Sequence, residues 1–455
     1  MAEKNLTQGN LFKQVLLFGL PLMASNLLQV LFNMSDLAVV GQFSENGTVA
    51  IGAVGSTTVL VTLYTGILIG IGCGVNVLVA RFIGASDKKN LREAVHTSLL
   101  VSLIVGVILG AVGLLINRPI LKLLGTKGDL IDGADLYLKI YICGMPAVAL
   151  YNFGNGTFSA MGNTKKPLLF LFIAGMLNIG LNLFFVIVCK MDVAGVSLAS
   201  IISQYVSAAL VVGALFFEKG DCKLSIRELK ISKPKAKTIL ELGLPASLQN
   251  SIFAITNLVI QSALNTFSSV TVEGSVAASN ADTLVYQLMD AFYIACASFI
   301  GQNYGAGNVK RIKQSYLICM MYAFIVGAIL GALLVIFGDE FLTIFTTDAE
   351  VKAEGVKKLT VMGYSYWISA FMDCPIAASR GLKKTVVPTI IVILGSCVFR
   401  LLWLVTIFKI FNTITSLYLL YAFSWLITSV AEVIYFSFAF RKIAKTLKTN
   451  NIATE

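Results

Sequence analysis

The chain has 455 residues, 57% of them hydrophobic, with a mean hydropathy of +0.83 and only 13% charged residues, about half the ~25% usual in soluble domains. A span needs about 20 apolar residues, so this length holds about a dozen spans and leaves no room for a soluble catalytic domain. The net charge of +11 fits cytoplasmic Lys and Arg of a membrane protein better than a nucleic-acid surface.

In chain order, apolar runs predict helices at 11–40, 49–80, 93–116, 134–161, 167–190, 195–217, 238–267, 277–301, 313–337, 357–380, 386–410 and 416–440. The polar start, with Lys4 and Lys13, carries no removable leader pattern. Twelve spans put both termini on one side. With that side cytoplasmic, 25 of 35 basic residues fall inside, including Arg81, Lys88, Lys89 and Arg92 after helix 2 and the run from Lys219 to Lys237. Nine fall in outer loops: Arg118, Lys122, Lys127, Lys139, Lys190, Lys352, Lys357, Lys358 and Lys409. This excess orients both termini to the cytoplasm.

The second half restates the first at an offset of about 221–224 residues. Gly19-Leu20-Pro21 opens helix 1 and Gly243-Leu244-Pro245 opens helix 7. Gly84-Ala85 answers to Gly305-Ala306, Gly106 and Gly110 to Gly327 and Gly331, and Thr164 with Pro167 to Thr385 with Pro388. Six helices per half is an even number, so the halves insert alike and form a parallel repeat. The expected architecture is an all-α membrane protein of twelve transmembrane helices in two pseudo-symmetric six-helix bundles. The lobes are 1–217 and 238–455, joined by a basic cytoplasmic linker at 218–237. Such pairs serve transporters that alternate access to a central cleft.

Polar side chains inside spans mark a cavity or a helix contact. Asn26, Gln29, Asn33 and Asp36 lie on one face of helix 1, and Ser197, Ser200, Gln204 and Ser207 on one face of helix 6. Asn178 and Asn182 are one turn apart in helix 5, and helix 7 carries Asn250, Asn257 and Gln261. Asn26, Gln29, Asn33, Gln204, Asn257, Gln261 and Asp282 are therefore candidates for a substrate cleft. Asp36, Asp282, Asp290, Asp373, Arg400 and Glu432 are ionisable groups within spans, each costly there without function or pairing. Asp36 is the leading cation-coupling candidate, because a carboxyl in that stripe can exchange a proton or hold Na⁺ with neighbouring amide oxygens. Asp373 and Asp290 follow it. Arg400 reads as a partner for one of these carboxylates and Glu432 as a residue near the inner interface. Gly66, Gly70 and Gly74 form a small face for close helix packing. Pro21 and Pro245 occupy matching positions suited to hinges.

No cofactor is expected. One histidine, His96, excludes a multi-His metal site, and eight cysteines without a CxxC pair read as free thiols. No HExxH, GxSxG or phosphate-binding Gly-Lys-Ser/Thr loop appears, which argues against an enzyme or an ATP-driven pump.

Three motifs resemble the prokaryotic branch of the multidrug and toxic compound extrusion (MATE) family. They are the two Gly-Leu-Pro openings, Gly301-Gln302-Asn303-Tyr304-Gly305-Ala306-Gly307 after helix 8, and Arg380-Gly381 with Thr385 and Pro388 after helix 10. The resemblance covers nearly the whole chain. It implies a multi-pass protein of the cell (inner) membrane that exports amphipathic, often cationic compounds in exchange for H⁺ or Na⁺, with no nucleic acid or obligate protein partner. Asp36 matches the family's acidic residue of helix 1, and Asn178 an Asn of helix 5. Asn182 stands where many members have Asp, and Ser200 where many have Thr. A Na⁺ site at Asp36, Asn178 and Asn182 would thus hold one carboxylate instead of two, which favours a protonation role for Asp36. Asp373 resembles an acidic position of one subgroup. The rival is a lipid-linked oligosaccharide flippase of the same superfamily, but an anionic head group calls for more intramembrane cations than Arg400.

Overall fold

A computed structural model describes residues 5–44 and 47–452; Lys4 lies outside them. Among the described residues there are helices and no strand. Twelve spans run in order as α1 (Leu11–Phe43), α2 (Gly47–Gly84), α3 (Lys88–Leu123), α4 (Ile131–Ile142 with Met145–Ala160), α5 (Lys165–Leu183 running on through Phe184–Val188) and α6 (Asp192–Phe216). They continue as α7 (Lys233–Leu264), α8 (Ser269–Gly305), α9 (Val309–Ile336), α10 (Ala349–Gly363 with Tyr366–Gly381), α11 (Val386–Val392 through Ile407–Phe411) and α12 (Ile414–Ile452). Nine of these are single helices long and apolar enough to cross a membrane. A tenth, α4, qualifies as a pair bent by 49°. The other two, α7 and α10, carry the charges Lys233, Lys235, Lys237 and Glu241, and Glu350, Lys352, Glu354, Lys357 and Lys358.

The repeat reaches down to single contacts. Asp87 caps α3 by accepting the amide N–H of Asn90 at 3.1 Å, and Asn308 caps α9 by accepting that of Arg311 at 3.1 Å. Such caps satisfy amide groups the helix cannot pair itself. The Asn90 side chain also donates to Asp87, and these bonds hold that carboxyl below its usual range. Both α4 and α10 break after an equivalent turn. A methyl on Gly106 would meet Pro146 Cα at 2.8 Å just beyond the first break, and one on Gly327 would meet Trp367 Cα at 3.3 Å just beyond the second. Pro146 explains the first break, since it cannot donate into a continuing helix.

Two compact units emerge, and their limits differ from the expected lobes. The first is built on Ala24–Asn250, the second on Leu6–Met23 with Ser251–Glu455. Residues 11–23 of α1 thus belong to the second unit and residues 233–250 of α7 to the first. The physical reasons are local. In the second unit Phe18 meets Phe299 edge to face at 5.5 Å, and a methyl on Gly19 would touch the Phe292 ring at 2.8 Å. Arg311 donates to the carbonyls of Leu6, Gln8 and Gly9 and to Gln14 Oε1 at 2.7–3.1 Å. Gln302 Oε1 accepts the Leu6 amide N–H at 3.0 Å. In the first unit the small face of α2 receives α7. Ser247 Oγ donates to Ile67 O at 2.8 Å, and Asn250 Nδ2 to Gly66 O at 3.1 Å. Pro21 lies two residues before the changeover in α1, and Pro245 five before that in α7; both helices run through their proline unbroken.

The linker belongs to the first unit and is pinned to α3. His96 Nε2 accepts the Ser225 amide N–H at 2.9 Å, so its Nδ1 is the protonated nitrogen and donates to Arg92 O at 2.7 Å. Thr97 Oγ1 donates to Lys230 O at 3.2 Å and accepts from Ser232 N at 3.0 Å.

Candidate ion-coupling site

In the first unit four of the expected coupling residues come together. Asn182 Nδ2 donates to Asp36 Oδ1 at 2.5 Å and lies 3.2 Å from Asn178 Oδ1, while Ser200 Oγ donates to Asp36 Oδ2 at 3.3 Å. Asn182 is fully buried, Asn178 and Ser200 nearly so, and Asp36 half-buried. Three helices build this arrangement: α1 supplies the carboxyl, α5 the two amides and α6 the hydroxyl. Immediately after Asn182 the helix widens into a π-helical turn, Phe184–Val188, a distortion frequent at functional sites. Asn182 Oδ1 is buried without a hydrogen-bond partner, which leaves the cluster one unused acceptor.

Sequence reasoning missed two neighbours. Tyr137 and Tyr141 on α4 stack with ring centroids 5.8 Å apart, both within electrostatic range of Asp36, and Tyr141 lies against Gln204. Their four-residue spacing was a legible signal, but aromatic residues in spans more often pack or face lipid. Farther along the α1 stripe, Asn26 is half-buried while Gln29 and Asn33 are exposed, so the stripe presents polar groups away from the unit's own core.

Among the acids of the second unit, Asp282 stands apart. Asp282 is paired: Lys358 Nζ reaches its Oδ2 at 2.9 Å, and the Tyr366 hydroxyl donates to its Oδ1. Lys358 also donates to Ser279 Oγ at 2.5 Å. Lys358, expected in an outer loop, is therefore a buried helical residue of α10, and Asp282 is a fixed ion partner. Asp373 is 7% exposed, its Oδ2 has no hydrogen-bond partner, and it feels Asp290, Arg380 and Arg400 electrostatically. Arg400 does not pair with a carboxylate as expected. Its Nε donates to Ser424 Oγ at 2.9 Å, and its guanidinium sits over Tyr421 at 4.6 Å and Phe253 at 5.5 Å, a cation–π seat. Asn257 is exposed, and Gln261 Nε2 donates to Asn265 Oδ1 at 3.0 Å.

The Lys358–Asp282 pair carries a direct test. Removing one partner strands a charge in a poorly solvated setting, a loss of about 3–5 kcal/mol for buried pairs. Asp282 keeps 24% of its side chain accessible and Lys358 10%, which places Lys358→Met near the lower end, about 3 kcal/mol. Denaturation of the purified variant should show that loss, and the double change Lys358→Met with Asp282→Leu should recover most of it. Equal destabilisation by the single and double variants would dismiss the pair as a stabilising unit.

Where the linker meets α3 in the first unit, a cavity of about 880 Å³ is lined by Lys88, Lys89, Arg92, Arg227, Lys230 and Lys233 against Glu93, Asp221 and Glu228. Asp221 bridges Lys88 and Arg92 at 3.6 Å each.

A family model, MatE, matches residues 21–184 and again 245–406, each copy opening on the proline of a Gly-Leu-Pro. The chain belongs to the MatE family of multidrug and toxic compound extrusion transporters. A probable multidrug resistance protein of Bacillus subtilis, YpnP, is 28% identical over 80% of this chain and 81% of its own length. A probable multidrug resistance protein of Thermotoga maritima, NorM, is 24% identical over 86% of this chain and 84% of its own. A solved outward-facing multidrug resistance MATE transporter of the MOP superfamily superposes with a TM-score of 0.90 at 22% identity, covering 98% of this chain and 100% of that one. The family resemblance and the twelve-helix fold expected from the sequence are borne out. The flippase alternative finds no support among these relatives.

Proposed function

We propose that the protein is a secondary active antiporter that exports bulky amphipathic, often cationic compounds across the cell membrane in exchange for H⁺ or Na⁺, with both termini cytoplasmic. The observation that carries this reading is the Asp36 carboxyl, held at membrane depth by Asn182 and Ser200. A coupling ion shifts a conformational equilibrium only by its differential affinity for the two states, and a lone carboxyl with amide and hydroxyl partners provides such a difference. As a carboxylate it accepts both donors. Once protonated, one oxygen becomes a donor and the Asn182–Ser200 arrangement has to be remade. Asn178 supplies the oxygen that completes the set for Na⁺ with Asp36 and Asn182. The exposed amides Gln29 and Asn33 with half-buried Asn26 offer hydrogen bonds to a passing substrate, and the multidrug resistance for which the relatives are named supports that substrate class.

Ethidium efflux from cells or vesicles containing the protein, with Na⁺ and pH gradients imposed separately, tests the reading. Efflux should accelerate with an inward gradient of one of the two ions. Efflux indifferent to both gradients would refute ion-coupled export.

A further inference from the structure

Glu432 lies on α12 in the second unit. Its side chain is fully buried and neither carboxyl oxygen has a hydrogen-bond partner. It faces α10, since Ser429, one turn earlier on the same helix, donates to Ile368 O of that helix at 3.0 Å. From α10 it feels Asp373 and Arg380. On its own helix Tyr435 is within range. Behind Asp373 stand Asp290 and Tyr286 of α8 and Arg400 and Cys397 of α11. The charge count of this region is uneven. Three carboxyls, buried Asp373 and Glu432 and half-buried Asp290, are linked electrostatically with two guanidiniums, Arg380 and Arg400. Two carboxylates balance two guanidiniums, and a third buried anion would stand uncompensated, a state that a poorly solvated interior does not sustain. One carboxyl must therefore hold a cation. A proton neutralises a carboxyl without needing any further ligand, so it is the cation that suits a donor-free carboxyl here. Glu432, without a hydrogen-bond donor to stabilise its anion, is where that proton belongs.

We propose that Glu432 is the proton-bearing group of a second exchange site, in the second unit, with Arg380 and Asp373 as its electrostatic partners. On release the Glu432 O–H bond breaks and the proton passes to bulk water through a water that enters when the unit rearranges. The carboxylate left behind is solvated by that entering water, because both guanidiniums are already matched by Asp290 and Asp373. On return the same O–H bond re-forms. The role in transport rests on the antiport reading above; the occupancy by a proton does not.

The test is infrared spectroscopy of the full-length protein reconstituted in lipid near neutral pH, reading the C=O stretch of protonated carboxyls, with ethidium efflux measured on the same samples. The wild type should show a protonated-carboxyl band that vanishes or loses one component in Glu432→Gln, while Asp339→Asn, at an exposed acid, leaves it unchanged. The same Glu432→Gln protein should lose the pH response of efflux. A wild-type band retained at full intensity in Glu432→Gln overturns the proposal. If Glu432→Gln is not recovered folded, Glu432→Asp decides: a displaced band supports the site and an unmoved one refutes it. Loss of the band in Glu432→Gln together with wild-type efflux that ignores both the pH and the Na⁺ gradient would uphold the proton on Glu432 and sink the antiport reading instead.

Discussion

Replacing Asp36 with asparagine should leave the protein folded and cut ion-driven ethidium export by about 5–150-fold, the span that a coupling free energy of about 1–3 kcal/mol covers. The change is nearly isosteric. Asn182 can still donate to the one remaining oxygen and the new NH₂ can donate to Ser200 Oγ, so packing has little reason to fail. What disappears is the group that can be neutralised. An amide has the same charge whatever the ion gradient, so it offers no differential affinity between states. Uncoupled leakage down the substrate's own gradient should persist, which separates lost coupling from lost binding. A companion variant sharpens the argument. Asn182 Nδ2 lies 2.5 Å from Asp36 Oδ1, so Asn182→Asp places two carboxyls in contact. Like charges that close do not both ionise without a cation between them. This variant should therefore export with a new or stronger Na⁺ requirement. Asp36→Asn with wild-type, gradient-dependent efflux would end the coupling role of this site.

The second large effect is expected from a single methyl group. At Gly74 a Cβ would stand 2.6 Å from Ile239 O and 3.0 Å from Gly243 N. Both are backbone atoms of α7, so no rotamer change relieves the clash and the helix itself has to retreat. Overpacking of this kind costs about 1–3 kcal/mol. Retreat also loosens the Ser247–Ile67 and Asn250–Gly66 hydrogen bonds, each worth about 0.6 kcal/mol in a membrane protein. Gly74→Ala should therefore unfold about 2–4 kcal/mol more easily in detergent or thermal denaturation. Gly55→Ala, on the same helix with open space around it, should change stability by well under half of that. Equal behaviour of the two variants would mean that α7 does not seat on this face.

Hydropathy made most of the spans legible, because lipid favours a long apolar run in a helix that crosses it, and matching Gly and Pro positions made the repeat legible. The same rule hid the first part of α10. Glu350, Lys352, Glu354 and Lys357 read as loop, and only the structure shows Lys358 turned onto Asp282. Steps of three and four residues brought Asp36, Asn178, Asn182 and Ser200 into view as helix faces, yet periodicity says nothing of which faces meet. Tyr137 and Tyr141 stayed hidden for that reason. Glu432 was undervalued because depth along a helix says little about whether a partner stands opposite. The changeover in α1 and α7 left no mark either, since a helix that passes from one unit to another has the composition of any other span.

That changeover has a consequence for how the chain is made. Residues 6–23 leave the ribosome well before the seat that receives them, on α8 and α9, which is synthesised only after the linker. The first unit, in turn, stays unfinished until residue 250 has been translated. Neither half of the gene encodes a self-sufficient body. Fragments divided at the linker would each lack a strip of their own interior and display one meant for the other, so assembly is a late, whole-chain event and not two successive ones.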